Sequence, residues 1–266
     1  MYLTNDILTP AVWRNIVETY GDNMTQCLQH PLTRYERIWH SQNGEEGVLE
    51  EIFSRIGTSN KYFVEFGAAD GVWYSNTARF RDELGWRGLG LEGDPDKVEA
   101  LGPLADKYNI KCEMVFSRNV NDLFQKYQVP PHFDLLSLDI DGDDYYVWKA
   151  LTDFRPRVVI IETNPGIPND VPLTIVEGET GCCPKEWQGY FGANLRCMYR
   201  LAKEKGYTFV TTVNFNAVFV EREWFHLLGC PYLTEDDAVK HCFKPRQYWY
   251  DHRDLKNRQW INPWNQ

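Results

Sequence analysis

Tyr62-Phe63-Val64-Glu65-Phe66-Gly67-Ala68-Ala69-Asp70-Gly71, followed by Gly88-Leu89-Gly90-Leu91-Glu92-Gly93-Asp94-Pro95, is the stretch on which the fold turns. Its first part reads as a short apolar strand running into a glycine-bearing turn. Its second part is another strand with an acidic residue where it ends. In a doubly wound sheet, ligands sit beyond the carboxyl ends of the strands, where the strand order reverses. Gly67 and Gly71 let the backbone approach a ligand with no Cβ in the way. Glu92, about twenty residues past the turn, is placed to accept hydrogen bonds from two ribose hydroxyls. The spacing is Glu-x-Gly-x-x-x-Gly, not Gly-x-Gly-x-x-Gly, which turns the reading from a nicotinamide dinucleotide toward S-adenosylmethionine. The glycines alone would equally suit an ordinary strand-turn-helix. The acid at Glu92 is what favours a nucleoside site.

At 266 residues the chain is one domain with additions, or at most two, and buries a large core. Its net charge of −10 argues against a nucleic-acid partner, because phosphate binding needs a basic face. No apolar run approaches the roughly 18–20 residues of a membrane span, and the N-terminus lacks a signal-peptide core. The seven cysteines are an odd number without zinc-type spacing, and Cys182-Cys183 is not a Cys-x-x-Cys redox pair. Reduced thiols and a cytoplasmic location are expected. The 10 Trp, 15 Tyr and 14 Phe are read mainly as core and interface.

Helix-like patches at Pro10 to Tyr20 and Leu32 to Trp39 suggest an N-terminal helical cover over residues 1–44. Val48, Ile52, Phe53 and Ile56 recur at helical spacing in Glu45 to Ile56. Strands are expected at Tyr62–Phe66, Arg87–Leu91, Ile110–Phe116, Phe133–Ile140 and Arg157–Glu162. Helices are expected at Thr77–Leu84, Asp96–Lys107 behind the Asp94-Pro95 start signal, and Tyr145–Leu151. This alternation means βαβ units and a parallel sheet. Residues 163–190 hold too many prolines and glycines for regular structure, and a loop that long is usually functional. Asn194–Lys205 reads as a helix closed by Gly206, and Tyr207–Val213 with Ala217–Glu221 as a closing hairpin. The core domain is thus placed at 45–225 and a tail at 226–266.

Asp139-Ile140-Asp141-Gly142-Asp143-Asp144 ends the buried strand that begins at Phe133. Four carboxylates in six residues repel one another unless something positive joins them. A calcium loop is rejected, because its sixth position would be Asp144 and its twelfth Ala150. Asp143 and Asp144 are read as caps of the following helix. Glu162 and Asn164 follow the next strand, and adjacent strands lie about 4.8 Å apart. Asp139, Glu162 and Asn164 are therefore a candidate site for Mg²⁺, Mn²⁺ or Ca²⁺. Equally open is a metal-free reading, in which Asp139 and Asp141 orient substrate or a cofactor sulfonium. As proton acceptors, Asp139 and Asp141 are preferred to His226 and His132, which are read as structural.

An ordered set of motifs resembles the FkbM-type group of class I S-adenosylmethionine-dependent methyltransferases. It comprises Ser41-Gln42-Asn43-Gly44-Glu45-Glu46, the stretch Phe63 to Gly71, Asn76-Thr77, Gly85-Trp86-Arg87-Gly88 with Glu92, and Asp139-Ile140-Asp141-Gly142. Val158 to Glu162, Gly192-Ala193-Asn194-Leu195, Gly206-Tyr207 and Asn216 to Val220 continue it, so that it spans residues 41–221. The resemblance implies an α/β fold: a doubly wound, mostly parallel seven-stranded Rossmann-like methyltransferase sheet with a C-terminal β-hairpin. It implies that Glu65, Gly67, Ala69, Asp70 and Gly71 wrap the methionine part, and that Glu92 with Gly93 holds the ribose. Ser117 would flank the adenine, and Asp139 would lie near the transferring methyl. The implied acceptor is a hydroxyl on a sugar, a polysaccharide unit or another small molecule, with Mg²⁺ use left open. The reading admits a homo-oligomer.

Two rivals remain at this stage. One is a non-catalytic nucleoside-binding or scaffold protein on the same fold. The other is a nucleotide-using transferase of the same architecture.

Overall fold

The computed structural model describes residues 32–179, 190–242 and 259–265. The patch at Pro10 to Tyr20, Cys27, Cys182-Cys183 and Trp249 lie outside the described residues. Among those described, seven strands form one sheet: β1 (Tyr62–Phe66), β2 (Arg87–Glu92), β3 (Ile110–Cys112), β4 (His132–Leu138), β5 (Arg155–Glu162), β6 (Tyr207–Val213) and β7 (Asn216–Glu221). Their spatial order is β3-β2-β1-β4-β5-β7-β6. β1 to β5 pair in parallel, and β7 alone runs antiparallel to both its neighbours. This is the doubly wound, mostly parallel seven-stranded sheet with a C-terminal hairpin that the sequence led us to expect.

β1 is buried along its whole length, and β4 and β5 from their second residue on, because helices cover both faces. Val64 and Phe66 point into a cluster with Phe124, Leu136, Trp148 and Phe219. Phe63 points the other way, toward Phe53, Phe80 and Trp86. The helices are α1 (Glu45–Ile56), α2 (Ala78–Asp82), α3 (Pro95–Leu101), α4 (Pro103–Tyr108), α5 (Val120–Lys126), α6 (Asp144–Ala150), α7 (Leu195–Glu204) and α8 (Glu235–Cys242). The order reverses between β1 and β4, so the cleft expected of such a sheet opens beyond Phe66 and Leu138.

Several expectations are corrected. Leu32 to Trp39 is not a helix beyond a single 3-10 turn at Thr33–Tyr35. The helix expected over Asp96–Lys107 is two, broken at Gly102. Pro103 lacks an N–H and drives the residue before it out of helical geometry. Asp94 does cap the first half, its side chain accepting from the Asp96 amide. The strand at Ile110 stops at Cys112 and not at Phe116, because its partner β2 ends opposite, at Glu92. Helices α5 and α8 carry two turns each, too short a period to stand out from their polar flanks. The tail returns to the core: Ile261 pairs with Thr174, and Trp260 is buried against Tyr190.

Candidate cofactor and active site

The turn after β1 is built by side chains from three directions. Gly67 has φ +69°, and a Cβ there would stand 2.0 Å from the Asp139 main-chain oxygen. Gly71, at φ +70°, lies against Ile110 and Tyr108 in the same way. Both glycines thus let the turn nest on its own neighbours. Ala69 sits at φ +44°, a region L residues enter at a cost, and is held there by its amide, which donates to Glu92 Oε2 at 2.8 Å. Asp70 closes the turn, its Oδ1 accepting from Val72 and Trp73 amides at 2.9 and 2.8 Å.

Glu92 is 6% exposed and ties the turn after β1 to the turn after β2. Its Oε1 accepts from the Asp94 amide at 2.9 Å and faces Lys97 Nζ at 3.9 Å. A carboxylate offers about four lone-pair sites, and these contacts leave capacity for two hydroxyls. Gly93 is tucked against Met114, with no room for a Cβ beside its sulfur.

Glu65 bonds the segment that follows the turn. Its carboxylate accepts from Ser75 Oγ, the Asn76 amide and Thr77 Oγ1 at 2.7, 2.8 and 2.7 Å. It therefore acts as a positioning residue that ties the 75–77 segment beneath the turn. Burial nonetheless pushes its carboxyl above the usual range, the three hydrogen bonds offsetting only part of that cost. Ser117 donates to Glu177 of the loop after β5, and Gly178 of that loop donates to Asp143 at 3.0 Å. The described part of the 163–190 loop is thus pinned across the ends of β4 and β5. Asp143 stands at the N-cap of α6 but spends its carboxylate on Gly178, and Asp144 turns back to accept from Ile140 and Gly142 amides. Neither side chain caps the helix as expected.

Beyond β4 and β5, oxygens of Asp139, Asp141 and Glu162 lie within 4.8 Å of one another. Asn164 follows Glu162 by two residues. Its side-chain oxygen accepts from the Gly166 amide and its nitrogen donates to the Phe191 carbonyl. Asp141 takes the third place, on a backbone held at φ +52°. Burial pushes the Asp139 carboxyl well above the usual carboxylate range, and the charges of Asp141, Asp144, Glu45 and Glu65 act in the same direction. Glu162 is raised by burial and then by Asp139, and Asp144 by burial to about 6. The buried Glu162 Oε2 has no hydrogen-bond partner.

Glu45, fully buried at the start of α1, belongs to this wall, although the sequence reading gave it no role. It accepts from the Asn43 amide, Asn43 Nδ2 and Asn216 Nδ2, and Asn216 stands opposite Glu162 in the sheet. Two adjacent acids opening an apolar helix, Glu45-Glu46, were the available signal. His226 and His132 are far from the cluster in the fold: His226 lies in a 3-10 turn after β7 and His132 starts β4 at the opposite edge.

The carboxylates fit a divalent cation. Mg²⁺ with oxygens at about 2.0–2.1 Å holds neighbouring ligands roughly 3–4 Å apart, so closure asks for only a small inward shift. The orphaned Glu162 oxygen would gain a partner by it.

No family model matches the chain, and no curated protein matches it. Among solved structures it is similar to a SAM-dependent methyltransferase from Aquifex aeolicus, at 9% identity over 64% of this chain and 87% of that one, with a TM-score of 0.36. It is similar to an O-methyltransferase from Bacillus cereus solved in complex with SAH, at 16% identity, covering 81% and 92% of the two chains, TM-score 0.40. A third is the pyocyanin biosynthetic protein PhzM, at 13% identity and TM-score 0.38, of whose length the chain spans 59%. Likeness at these levels carries no argument about activity, which rests on the site's own chemistry. Among the described residues, no helix is long and apolar enough to cross a membrane.

Proposed function

We propose that the chain is an S-adenosylmethionine-dependent methyltransferase acting on a hydroxyl of a sugar or another small acceptor. The observation that carries this reading is electrostatic. Next to the point where strand order reverses, the end of β2 carries a buried glutamate with spare acceptor capacity. The ends of β4 and β5 carry the buried Asp144 and Glu162 with the half-buried Asp139 and the exposed Asp141. Among the described residues, no salt bridge joins Asp139, Asp144 or Glu162 to a Lys or Arg; Lys97 acts on Glu92 and Asp141, and Arg81 on Glu65. Such a cleft repels a pyrophosphate and favours a nucleoside that carries positive charge. This speaks against NAD and ATP, and for a sulfonium with an ammonium group.

S-Adenosylmethionine, when bound, supplies a methyl group on a positively charged sulfur. The rest is positioning by this chain. Glu92 accepts from the ribose hydroxyls, while the turn Gly67–Gly71 gives the remainder a close, rigid wall. Asp139 and Glu162 hold the acceptor hydroxyl, and the proton it loses passes to a carboxylate oxygen of this pair. Their raised proton affinity suits that task, since a base works best when its pKa lies near the working pH. Holding both reactants in line supplies much of the remaining rate. With Mg²⁺ bound, Asp139, Asp141 and Glu162 would hold the ion, and it would lower the pKa of a coordinated hydroxyl.

Glu92→Ala tests the ribose assignment. We expect binding of S-adenosylhomocysteine to weaken by about 1.5–3 kcal/mol, as for hydrogen bonds lost to a charged acceptor. Glu92 also supports the Ala69 and Asp94 amides, so Glu92→Gln is the companion variant. It keeps one acceptor and should fall between the two. Unchanged affinity in folded proteins of both kinds would remove Glu92 from the site.

A further inference from the structure

A second cleft lies at the other end of the sheet. Its volume is about 320 Å³, and it is bounded by the end of α7, the start of β6 and the segment after β7. Because β6 runs parallel to β1–β5, its first residues stand at the edge opposite the acidic cluster. The walls are aromatic. Tyr199 tilts on Phe209 at 6.1 Å, and Phe225 meets Tyr232 edge-on at 6.2 Å. The hydroxyls of Tyr199 and Tyr232 stand 3.1 Å apart and tie the two sides together. Tyr232 remains 58% exposed, with an aromatic face open to a ligand.

The charge at this cleft is opposite to that of the protein. Its lining includes Lys203, Arg222 and His226 and contains no carboxylate. Among the described residues, neither Lys203 nor Arg222 forms a salt bridge. Arg222 Nη2 donates to the Lys203 carbonyl at 3.3 Å, which brings the two residues to one rim and leaves most guanidinium donors open. His226 Nδ1 contacts the Glu223 carbonyl at 2.8 Å, which leaves Nε2 toward solvent. A chain of net charge −10 spends its cations on carboxylates elsewhere, as at Arg155, Arg157, Arg196 and Arg200.

We propose that this cleft binds a phosphate ester carrying one flat ring, the ring against the exposed Tyr232 and the phosphate on Lys203 and Arg222. The volume suits one ring and one phosphate, at the lower end of ordinary ligand pockets. A guanidinium and an ammonium on the lining of one cleft favour a dianion over a neutral ring, and aromatic walls favour the ring over free phosphate. The site lies away from the proposed cofactor cleft. It would hold or sense its ligand rather than transform it, and it stands whether or not the methyltransferase reading holds.

Phenyl phosphate, phenol and inorganic phosphate are the probes, titrated calorimetrically into the full-length protein at low salt. Phenyl phosphate has no nucleoside character, so binding at the acidic cleft does not mimic the result. We expect phenyl phosphate to bind at least tenfold more tightly than either fragment. Lys203→Gln with Arg222→Gln should weaken it at least tenfold and leave phenol unchanged. Tyr232→Ala should weaken both phenyl phosphate and phenol. Circular dichroism and the melting temperature establish that the variants fold. Equal affinity for phenol and phenyl phosphate, or full phenyl phosphate binding in the folded double variant, would overturn the proposal, as would no binding to the unmodified protein.

Discussion

Asp139→Asn is expected to lower methyl transfer to a hydroxyl acceptor by roughly 10²–10⁴-fold, the usual worth of a positioned base. Binding of S-adenosylhomocysteine should change far less, because Glu92 and the 67–71 turn are untouched. The same variant should be no less stable than the parent above neutral pH. Asp139 and Glu162 have proton affinities raised by burial and by their neighbours' charge. For a carboxyl raised in the folded state, the unfolded chain gives up its proton first. The penalty is therefore absent below about pH 4, where both states are protonated, and grows as pH rises toward the raised values. Removing one charge relieves it. Thermal melts from pH 5 to 8 should show a flatter pH dependence for Asp139→Asn than for the parent, alongside the loss of turnover. Normal turnover in a folded Asp139→Asn protein would remove the carboxylate from the reaction. Loss of turnover restored by no added Mg²⁺, and insensitivity of the parent to EDTA, would assign the proton to the carboxylates alone.

Gly67→Ala should cost about 2–4 kcal/mol of stability, from a strained backbone together with a main-chain clash. Its φ is +69°, and the added Cβ would meet the Asp139 carbonyl oxygen at 2.0 Å. That oxygen belongs to the backbone at the end of β4 and cannot swing aside like a flexible side chain. Relief must come from parting β1 from β4, and that displaces both the cofactor turn and the acidic cluster. Gly229→Ala is the control. Gly229 is also left-handed, at φ +59°, but its nearest neighbour is the tip of Arg55 at 4.0 Å. It should lose only the conformational cost of about 1–2 kcal/mol. Chemical denaturation of both variants measures the difference. Equal losses would mean that the close approach at Gly67 relaxes freely.

The sheet was legible because its strands are nearly unbroken apolar runs separated by helical periods. Tyr62–Phe66 and the apolar centre of Arg157–Glu162 read as strands buried on both faces, and the observed strand only adds Arg155 and Pro156 at its start. The acidic end of β4 was also legible, because four carboxylates in six residues ask for an explanation by themselves. Their individual roles were not. Asp141 reaches Asp139 and Glu162 from a left-handed turn, while Asn164 bonds Gly166 and Phe191. Neither event leaves a mark in the local sequence. Glu65 shows the same limit. It stands in β1 one residue before the strand ends, yet three hydroxyl and amide donors ten to twelve residues away take its carboxylate. Glu45 went unnoticed for the opposite reason, since its partner Asn216 lies 171 residues along the chain. The cleft at Tyr199 and Arg222 had no motif at all, being assembled from a helix end, a strand start and a turn.

The central claim is that a net acidic cluster beside the strand-order reversal takes a positively charged nucleoside. Isothermal titration of the purified protein with S-adenosylmethionine, NAD and ATP, each with and without Mg²⁺, tests it most directly. The account predicts one-to-one binding of S-adenosylmethionine, weakened in Glu92→Ala, and no binding of NAD or ATP at that site. Binding of NAD or ATP with no response to S-adenosylmethionine would contradict it.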